Sequence, residues 1–279
     1  MEILIAIGVL GGLGALFGLI LTLADRVFHV ETDPRLDALI QCLPGANCGG
    51  CGFSGCAAYA QAVLDGKVPV GLCIAGGDEC AQGMANIMGV RAQKVARQVA
   101  FVRCAGTTAR NKGEYEGIAD CVAATKVAGR GPLICKFGCL GFGNCTKACK
   151  FDAIHLENGV AKVDADKCTG CMSCAAACPR GLIVPVHFGK NITVACASNA
   201  RGSVTLRGCD IGCIGCFKCE KICPKGAIQV KQNLARINYD LCDDCGLCVQ
   251  ACPRGLISDS HLTKADDGPA LKPEKRPVS

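Results

Sequence analysis

Cysteine constrains this chain more than any other feature: there are 26 in 279 residues, and sixteen of them fall in two blocks of one layout. The first block holds Cys135, Cys139, Cys145 and Cys149, then Cys168, Cys171, Cys174 and Cys178. The second repeats every spacing 74 residues later, from Cys209, Cys213, Cys219 and Cys223 to Cys242, Cys245, Cys248 and Cys252. Apolar residues make up 50% of the chain, but cysteine inflates that figure, aromatics reach only 4% and there is no Trp. A conventional core is therefore thin for this length, and small cysteine-rich units need disulfides or metals to hold them. Cys-x-x-Cys spacings read as metal sites in a reducing compartment.

The second half of each block is a strong motif. Cys168-Thr-Gly-Cys171-Met-Ser-Cys174-Ala-Ala-Ala-Cys178-Pro179 has the spacing C-x2-C-x2-C-x3-C-P, and Cys242 to Pro253 repeats it. This is the bacterial ferredoxin run, whose fourth cysteine crosses to the other cluster of a pair. Residues 153–164 and 227–238 read as matching hairpins at one offset, the first turning on Asn158-Gly159. A cysteine loop, a short helix, a hairpin and a second cysteine loop make a two-cluster unit. Two such units are expected.

The crossover rule assigns ligands. Cys149 joins Cys168, Cys171 and Cys174, and Cys223 joins Cys242, Cys245 and Cys248. In the second unit Cys213, Cys216 and Cys219 pair with Cys252. The first unit has Phe142 where the second has Cys216, so Cys135 is expected to join Cys139, Cys145 and Cys178. Cys209, the counterpart of Cys135, then competes with Cys216.

Upstream, Cys48-x2-Cys51-x4-Cys56-x16-Cys73 supplies four more thiolates in a glycine-rich loop. Glycine lets backbone N–H groups approach a cluster closely and tune it. A four-cysteine zinc site is the plainer alternative. Five [4Fe-4S] clusters are expected. Six cysteines are left: Cys42, Cys80, Cys104, Cys121, Cys196 and Cys209. The last four would suffice for a sixth cluster, or they are small buried apolar residues.

Residues 3–24 carry no charge. At about 1.5 Å per residue they extend about 33 Å, enough for a bilayer core. Glu2 at the start and Asp25-Arg26 at the end fit a retained anchor better than a cleaved signal. Arg26 and Arg35 follow the segment and no Lys or Arg precedes it, which places the cysteine-rich part in the cytoplasm. Gly8 and Gly12, and Gly14 and Gly18, are spaced for close helix contact in a membrane, though glycine is common in such helices anyway. Helix is expected over Ala57–Leu64 and again over Ala81–Val102, where Arg91, Lys94 and Arg97 would share a face.

The formal charge of +6 counts every cysteine as neutral. Each four-thiolate site holding an oxidised four-iron core adds roughly −2, so five bring the loaded chain to about −4. Nucleic-acid binding is therefore not expected, and no interleaved basic and aromatic stretch favours it. His29, His155, His187 and His261 are scattered. Cys-x-x-Cys-His is absent, which argues against covalent haem. No catalytic residue and no dinucleotide fingerprint is read.

An apolar N-terminus, then Pro44-Gly-Ala-Asn-Cys48-Gly-Gly-Cys51-Gly-Phe-Ser-Gly-Cys56, then Cys135-Lys-Phe-Gly-Cys139-Leu-Gly-Phe-Gly-Asn-Cys145, resemble the B subunit of the Rnf electron-transport complex. The resemblance covers nearly the whole chain and implies the longer, polyferredoxin variety. It implies an electron-transfer component of a membrane-bound oxidoreductase that couples ferredoxin and NAD to Na⁺ or H⁺ transport. Soluble ferredoxin would be the donor or acceptor, and the other membrane and peripheral Rnf subunits the partners. Flavin and nicotinamide sites would lie on those partners. Electrons would enter at the ferredoxin units and leave through the cluster nearest the membrane. A membrane-tethered polyferredoxin serving another reductase and a zinc-based scaffold are the rival readings.

The expected fold is α+β. A transmembrane anchor (1–25) leads to a small [4Fe-4S] domain (31–90) and a helical linker (91–130). Ferredoxin-like units follow at 131–187 and 205–259, then a polar tail at 260–279.

Overall fold

The computed structural model of the chain describes residues 2–27, 33–92, 96–107, 111–113 and 115–259. The expected polar tail, Lys94, His29 and His261 lie outside them.

Helix α1 (Glu2–Val27) runs for 26 residues. Its side chains are described at residues 8 and 10–24. Leu10, Leu13, Leu16, Phe17, Leu19, Ile20, Leu21 and Leu23 are all exposed, so none of the other described residues covers them. Among the described residues no helix is long and apolar enough to cross a membrane.

The N-terminal domain packs three helices over one small core. α2 (Pro34–Gln41) starts where Asp33 accepts a hydrogen bond from the Arg35 N–H, with Pro34 in the first turn. α3 (Cys56–Leu64) matches the expected helix within one residue. After a 3₁₀ turn at Ile74–Gly76, α4 (Gly77–Met88) ends on Gly89 in the left-handed conformation. Tyr59, Leu39 and Met84 are fully buried between these helices. The Tyr59 hydroxyl donates to the Pro69 carbonyl at 3.0 Å and accepts from the Leu72 N–H at 3.1 Å. It thereby clamps the loop that carries Cys73.

The helix expected to continue to Val102 stops at Met88, because Gly89 terminates it. Residues 98–102 form a strand, β1 (Gln98–Val102), and neither Arg91 nor Arg97 lies on a helix; the expected face that also includes Lys94 falls partly outside the described residues. Arg97 instead donates to the carbonyls of Ala165 and Asp166 and stacks 3.8 Å over the Phe188 ring.

Two ferredoxin-like units follow. The first contains α5 (Cys121–Lys126), α6 (Asn144–Lys147), the hairpin β2 (Ile154–Glu157) and β3 (Val160–Val163), α7 (Ser173–Ala176) and β4 (Ile183–His187). The second contains β5 (Ile192–Val194), α8 (Gly202–Gly208), α9 (Lys218–Ile222), the hairpin β6 (Ile228–Lys231) and β7 (Leu234–Ile237), α10 (Leu247–Ala251) and β8 (Ile257–Asp259). Both hairpins lie where the sequence placed them, and both turn on two positive-φ residues, Asn158-Gly159 and Gln232-Asn233. Each unit has a second antiparallel pair, β1 with β4 and β5 with β8. Ile183 faces Val102 and Ile257 faces Val194, so the two pairs correspond, although Ile183 and Ile257 keep the 74-residue offset and Val102 and Val194 are 92 residues apart.

This pairing corrects the expected boundaries. β1 belongs to the first unit and β5 to the second, upstream of residues 131 and 205. The stretch 91–130 is not a helical linker: it holds β1, then an excursion over residues 103–134 in which α5 is the one helix among the described residues. That excursion is pinned at its base by the bridge of Asn111 to Leu133 and the Lys112 N–H to the Pro132 carbonyl.

Tyr59→Phe removes both hydroxyl hydrogen bonds while keeping the ring in its place. It is expected to cost roughly 1–2 kcal/mol, read as a lowered anaerobic thermal midpoint, with hydrogen exchange rising first at residues 69–73.

Candidate metal centres

All 26 cysteines are free, and ten of them are buried. Many of them line small cavities, and others pack into the apolar cores beside those cavities. Among the described residues no three Cys, His, Asp or Glu side chains are grouped closely enough to hold a single metal ion.

In the N-terminal domain one cavity is lined by Cys48, Cys51, Cys56 and Cys73, the set expected from spacing. Asn47 shapes the loop: its side-chain oxygen accepts the Cys56 N–H at 2.7 Å, closing the turn onto the start of α3. Behind this cavity Cys80 donates toward Cys73, which holds the Cys73 thiol down to about 6 and pushes Cys80 up. Cys42 lies beside them, close to Gly83.

This loop sits directly on the first ferredoxin-like unit. A Cβ at Gly50 would stand 2.8 Å from the Cys171 carbonyl oxygen. The Ser173 hydroxyl donates to the Cys48 carbonyl at 3.3 Å, and Lys150 donates to the Ala46 carbonyl at 2.7 Å. Cys171 also lines the N-terminal cavity.

Within the first unit Cys174 feels Cys168, Cys171 and Cys149, the expected crossover set, and also Cys145 of the neighbouring site. The Ala100 N–H points at the Cys168 sulfur and the Ala153 N–H at the Cys149 sulfur, each at 3.4 Å. In the second unit Cys248 feels Cys242, Cys223 and Cys245, and these four line one cavity. Cys219 feels Cys213, Cys252 and Cys216. So Cys216, not Cys209, keeps company with Cys213 and Cys219.

The remaining site of the first unit differs from expectation. Its cavity is lined by Cys139, Cys145, Cys178 and Cys121, and after burial Cys145 is raised by the charges of those same three residues. Cys135 does not line it. Asn144 makes the connection: its side-chain oxygen accepts the Cys121 N–H at 2.8 Å and its amide donates to Asp120 at 2.6 Å. Asp120 caps α5 by accepting from Ala123. Phe142, at the position of Cys216, packs on Tyr115 with ring centroids 5.2 Å apart and helps bury Cys121, Ala124 and Leu140. The missing cysteine at 142 was a visible signal that a thiol must come from elsewhere. Spacing alone could not say that the excursion returns Cys121 to the site.

Burial pushes several of these thiols up from 9.0, Cys174 to about 12 and Cys145, Cys219 and Cys248 to about 11. From about pH 9 to about pH 11 such groups stay protonated in the folded metal-free chain while the unfolded chain ionises.

Thiols ringed round cavities on paired ferredoxin-like hairpins define an iron–sulfur protein with several [4Fe-4S] domains. Known families agree: residues 43–75 match the family described as "Putative Fe-S cluster", 160–183 a 4Fe-4S binding domain, and 212–257 a 4Fe-4S dicluster domain. The chain is 44% identical to the B subunit of the Na⁺-translocating ferredoxin:NAD⁺ oxidoreductase complex of Acetobacterium woodii, over 92% of its own length and 78% of the relative's. It is 42% identical to the B subunit of the proton-translocating ferredoxin:NAD⁺ oxidoreductase complex of Clostridium ljungdahlii, over 88% of each chain. It is 39% identical to the B subunit of the ion-translocating oxidoreductase complex of Methanosarcina acetivorans, over 90% and 96%. The chain belongs to this family, the B subunits of Rnf-type ion-translocating oxidoreductase complexes.

Gly50→Ala is expected to push the N-terminal loop off Cys171, so that hydrogen exchange rises at residues 48–52 and 169–173 but not in the second unit. For the metal-free chain, the thiols with raised pKa contribute stability that is present below about pH 9 and is lost as the pH climbs toward 11–12. Denaturation midpoints measured across pH 7–11 should therefore fall at the alkaline end for the metal-free chain. The metal-loaded form, its thiols already deprotonated, should change less there.

Proposed function

We propose that this chain is the electron relay of a membrane-bound, ion-translocating ferredoxin:NAD oxidoreductase. Soluble ferredoxin on the cytoplasmic side exchanges electrons with it, and other subunits of the complex carry the nicotinamide chemistry and the ion path. Bound [4Fe-4S] clusters supply one-electron transfer at potentials set by their surroundings. The chain's own residues hold them: Cys48, Cys51, Cys56 and Cys73 in the N-terminal domain, and two further sets in each ferredoxin-like unit.

The observation that carries this reading is the run of adjoining thiol sites. Cys145 lies beside Cys174, and Cys171 lies against Cys48. Electrons entering the first unit thus have a neighbouring site at every step toward the N-terminal domain. That domain is the one that follows α1 in the chain. The matches to 4Fe-4S domains favour clusters over zinc at these cysteines. Backbone N–H groups aimed at Cys168 and Cys149 stabilise thiolate charge and tune a bound centre, as outer-shell donors do.

The uncharged stretch 3–24 within the continuous helix α1 serves as a single-pass anchor in this reading. Its exposed leucines face lipid or partner subunits. Arg26 and Arg35 hold the cysteine-rich part on the cytoplasmic side. Gly8, Gly12, Gly14 and Gly18 border open space, which leaves room for a partner helix to approach.

Protein purified anaerobically is expected to carry at least about 20 iron and 20 acid-labile sulfide per chain. Reduction should bring up overlapping, spin-coupled EPR signals. Stoichiometric zinc without sulfide would overturn the relay. A full iron and sulfide content with no ion-translocating membrane subunits co-purifying from the native host would leave a polyferredoxin but remove the assigned complex.

A further inference from the structure

A cavity lies where the two ferredoxin-like units meet. It encloses about 320 Å³, and Cys104, Cys135, Cys196 and Cys209 all stand in its wall. A smaller adjoining space is again lined by Cys104, Cys135 and Cys209. The four come from separate segments: the end of β1, the first cysteine block, the end of β5 and the end of α8. They nevertheless face one another. Cys104 and Cys209 sulfurs both lie within 4 Å of the Cβ position at Gly106, at 3.6 and 3.8 Å. The Cys135 charge is felt by both Cys104 and Cys196.

The arrangement is built twice, once from each unit. Cys135 and Cys209 are repeat partners, and their carbonyls are held by the repeat-related Arg180 and Arg254, at 3.3 and 2.8 Å. Cys104 and Cys196 are partners too. Each lies two residues past the strand residue that faces Ile183 or Ile257, and each returns its N–H to that residue, to Val102 at 2.8 Å and Val194 at 2.9 Å. Each sulfur accepts a matching N–H, Cys104 from Cys139 and Cys196 from Cys213, both at 3.4 Å. The Ser198 N–H also points at the Cys196 sulfur, and the Gly212 N–H at Cys209. The Ala105 N–H donates to the Ala195 carbonyl at 3.0 Å and fastens the halves together. None of these four thiols is needed by the five sites above.

We propose that Cys104, Cys135, Cys196 and Cys209 are the ligands of a sixth [4Fe-4S] cluster, shared between the two ferredoxin-like units at their junction. This rests on the iron–sulfur reading of the chain and deepens it. The four thiols lose four protons as their sulfurs bind the four irons. The bound centre then gains one electron from a neighbouring cluster and gives one electron to the next, with no other chemistry. Cys139 of the first unit and Cys213 of the second each donate an N–H to one of its ligands. The centre therefore joins two cluster pairs that would otherwise be separate, and the relay runs unbroken from the second unit to the N-terminal domain. Cys121 takes the vacant place in the first unit, and Cys42 and Cys80 stay outside all six sites.

The test is metal content and EPR of the full chain, purified anaerobically. Wild type should carry about 24 iron and 24 sulfide; about 20 of each would overturn the sixth site while leaving the relay intact, and zinc without sulfide would sink the relay itself. Cys104→Ala, Cys196→Ala and Cys209→Ala should each lose about four iron. The Cys104→Ala/Cys196→Ala double variant should lose no more than either single change, because both act on one centre. Cys104→Ala/Cys121→Ala should lose about twice as much. Full iron in the three single variants, or additive losses in the first double variant, overturns the assignment. If a variant fails to fold, the wild-type count still decides. Loss of magnetic coupling between the units in Cys196→Ala, with the remaining signals unchanged, is the spectroscopic signature expected.

Discussion

Backbone N–H groups directed at cysteine sulfur are the interaction on which this structure turns. A chain with few aromatics and no Trp has little apolar surface to bury, so its secondary structure and its thiol sites have to be built by the same contacts. β1 shows this directly. Its Ala100 N–H points at the Cys168 sulfur while the same strand pairs with β4. Ala153, just ahead of β2, does the same for Cys149. A sulfur that accepts such hydrogen bonds is better able to carry charge, and the donors are fixed by strand pairing rather than by flexible side chains. Sites assembled this way are as rigid as the sheets they hang on.

Close backbone approach is the second requirement, and it explains where glycine sits. A Cβ at Gly170 would lie 2.4 Å from the Gln98 carbonyl oxygen, so the Cys168–Cys171 loop can lie on β1 only without a side chain there. Gly141 and its repeat partner Gly215 meet the hairpin turns at Gly159 and Asn233 in the same way. These contacts connect local sequence to the spacing of whole elements. They bring the cysteine loop, the hairpin and the strand pair within one thin layer, which a larger residue at any of the three would force apart.

Much of this was legible in the sequence, for definite reasons. The hairpins could be placed because Asn158-Gly159 is a turn signal and the second copy confirmed its offset. The sets around Cys174 and Cys248 followed from a spacing so short that the loop can close in few ways. β1 and β5 were not legible. They are brief, they lie upstream of the cysteine blocks, and β1 follows a helix-rich stretch whose end is marked only by Gly89. The ring of Cys121, Cys139, Cys145 and Cys178 was hidden for a different reason. It depends on where a long excursion returns, and that return is fixed by Asn144 and Asp120, tertiary hydrogen bonds with no signature in spacing.

One residue accounts for the asymmetry between the units. Phe142 stands where the second unit has Cys216, and a phenyl ring cannot do what a thiol does. The first unit responds on both sides of that change. The ring becomes part of an apolar patch with Tyr115, Leu140 and Ala124, and that patch buries the excursion which brings in Cys121. Cys135 is left out of that ring and stands instead in the wall of the junction cavity, together with Cys104 of its own unit and Cys209 of the second. With Phe142 in the place of a cysteine, the distant thiol of Cys121 lines the first unit's cavity in its stead, and the two repeat partners, Cys135 and Cys209, stand together in the wall of the junction cavity.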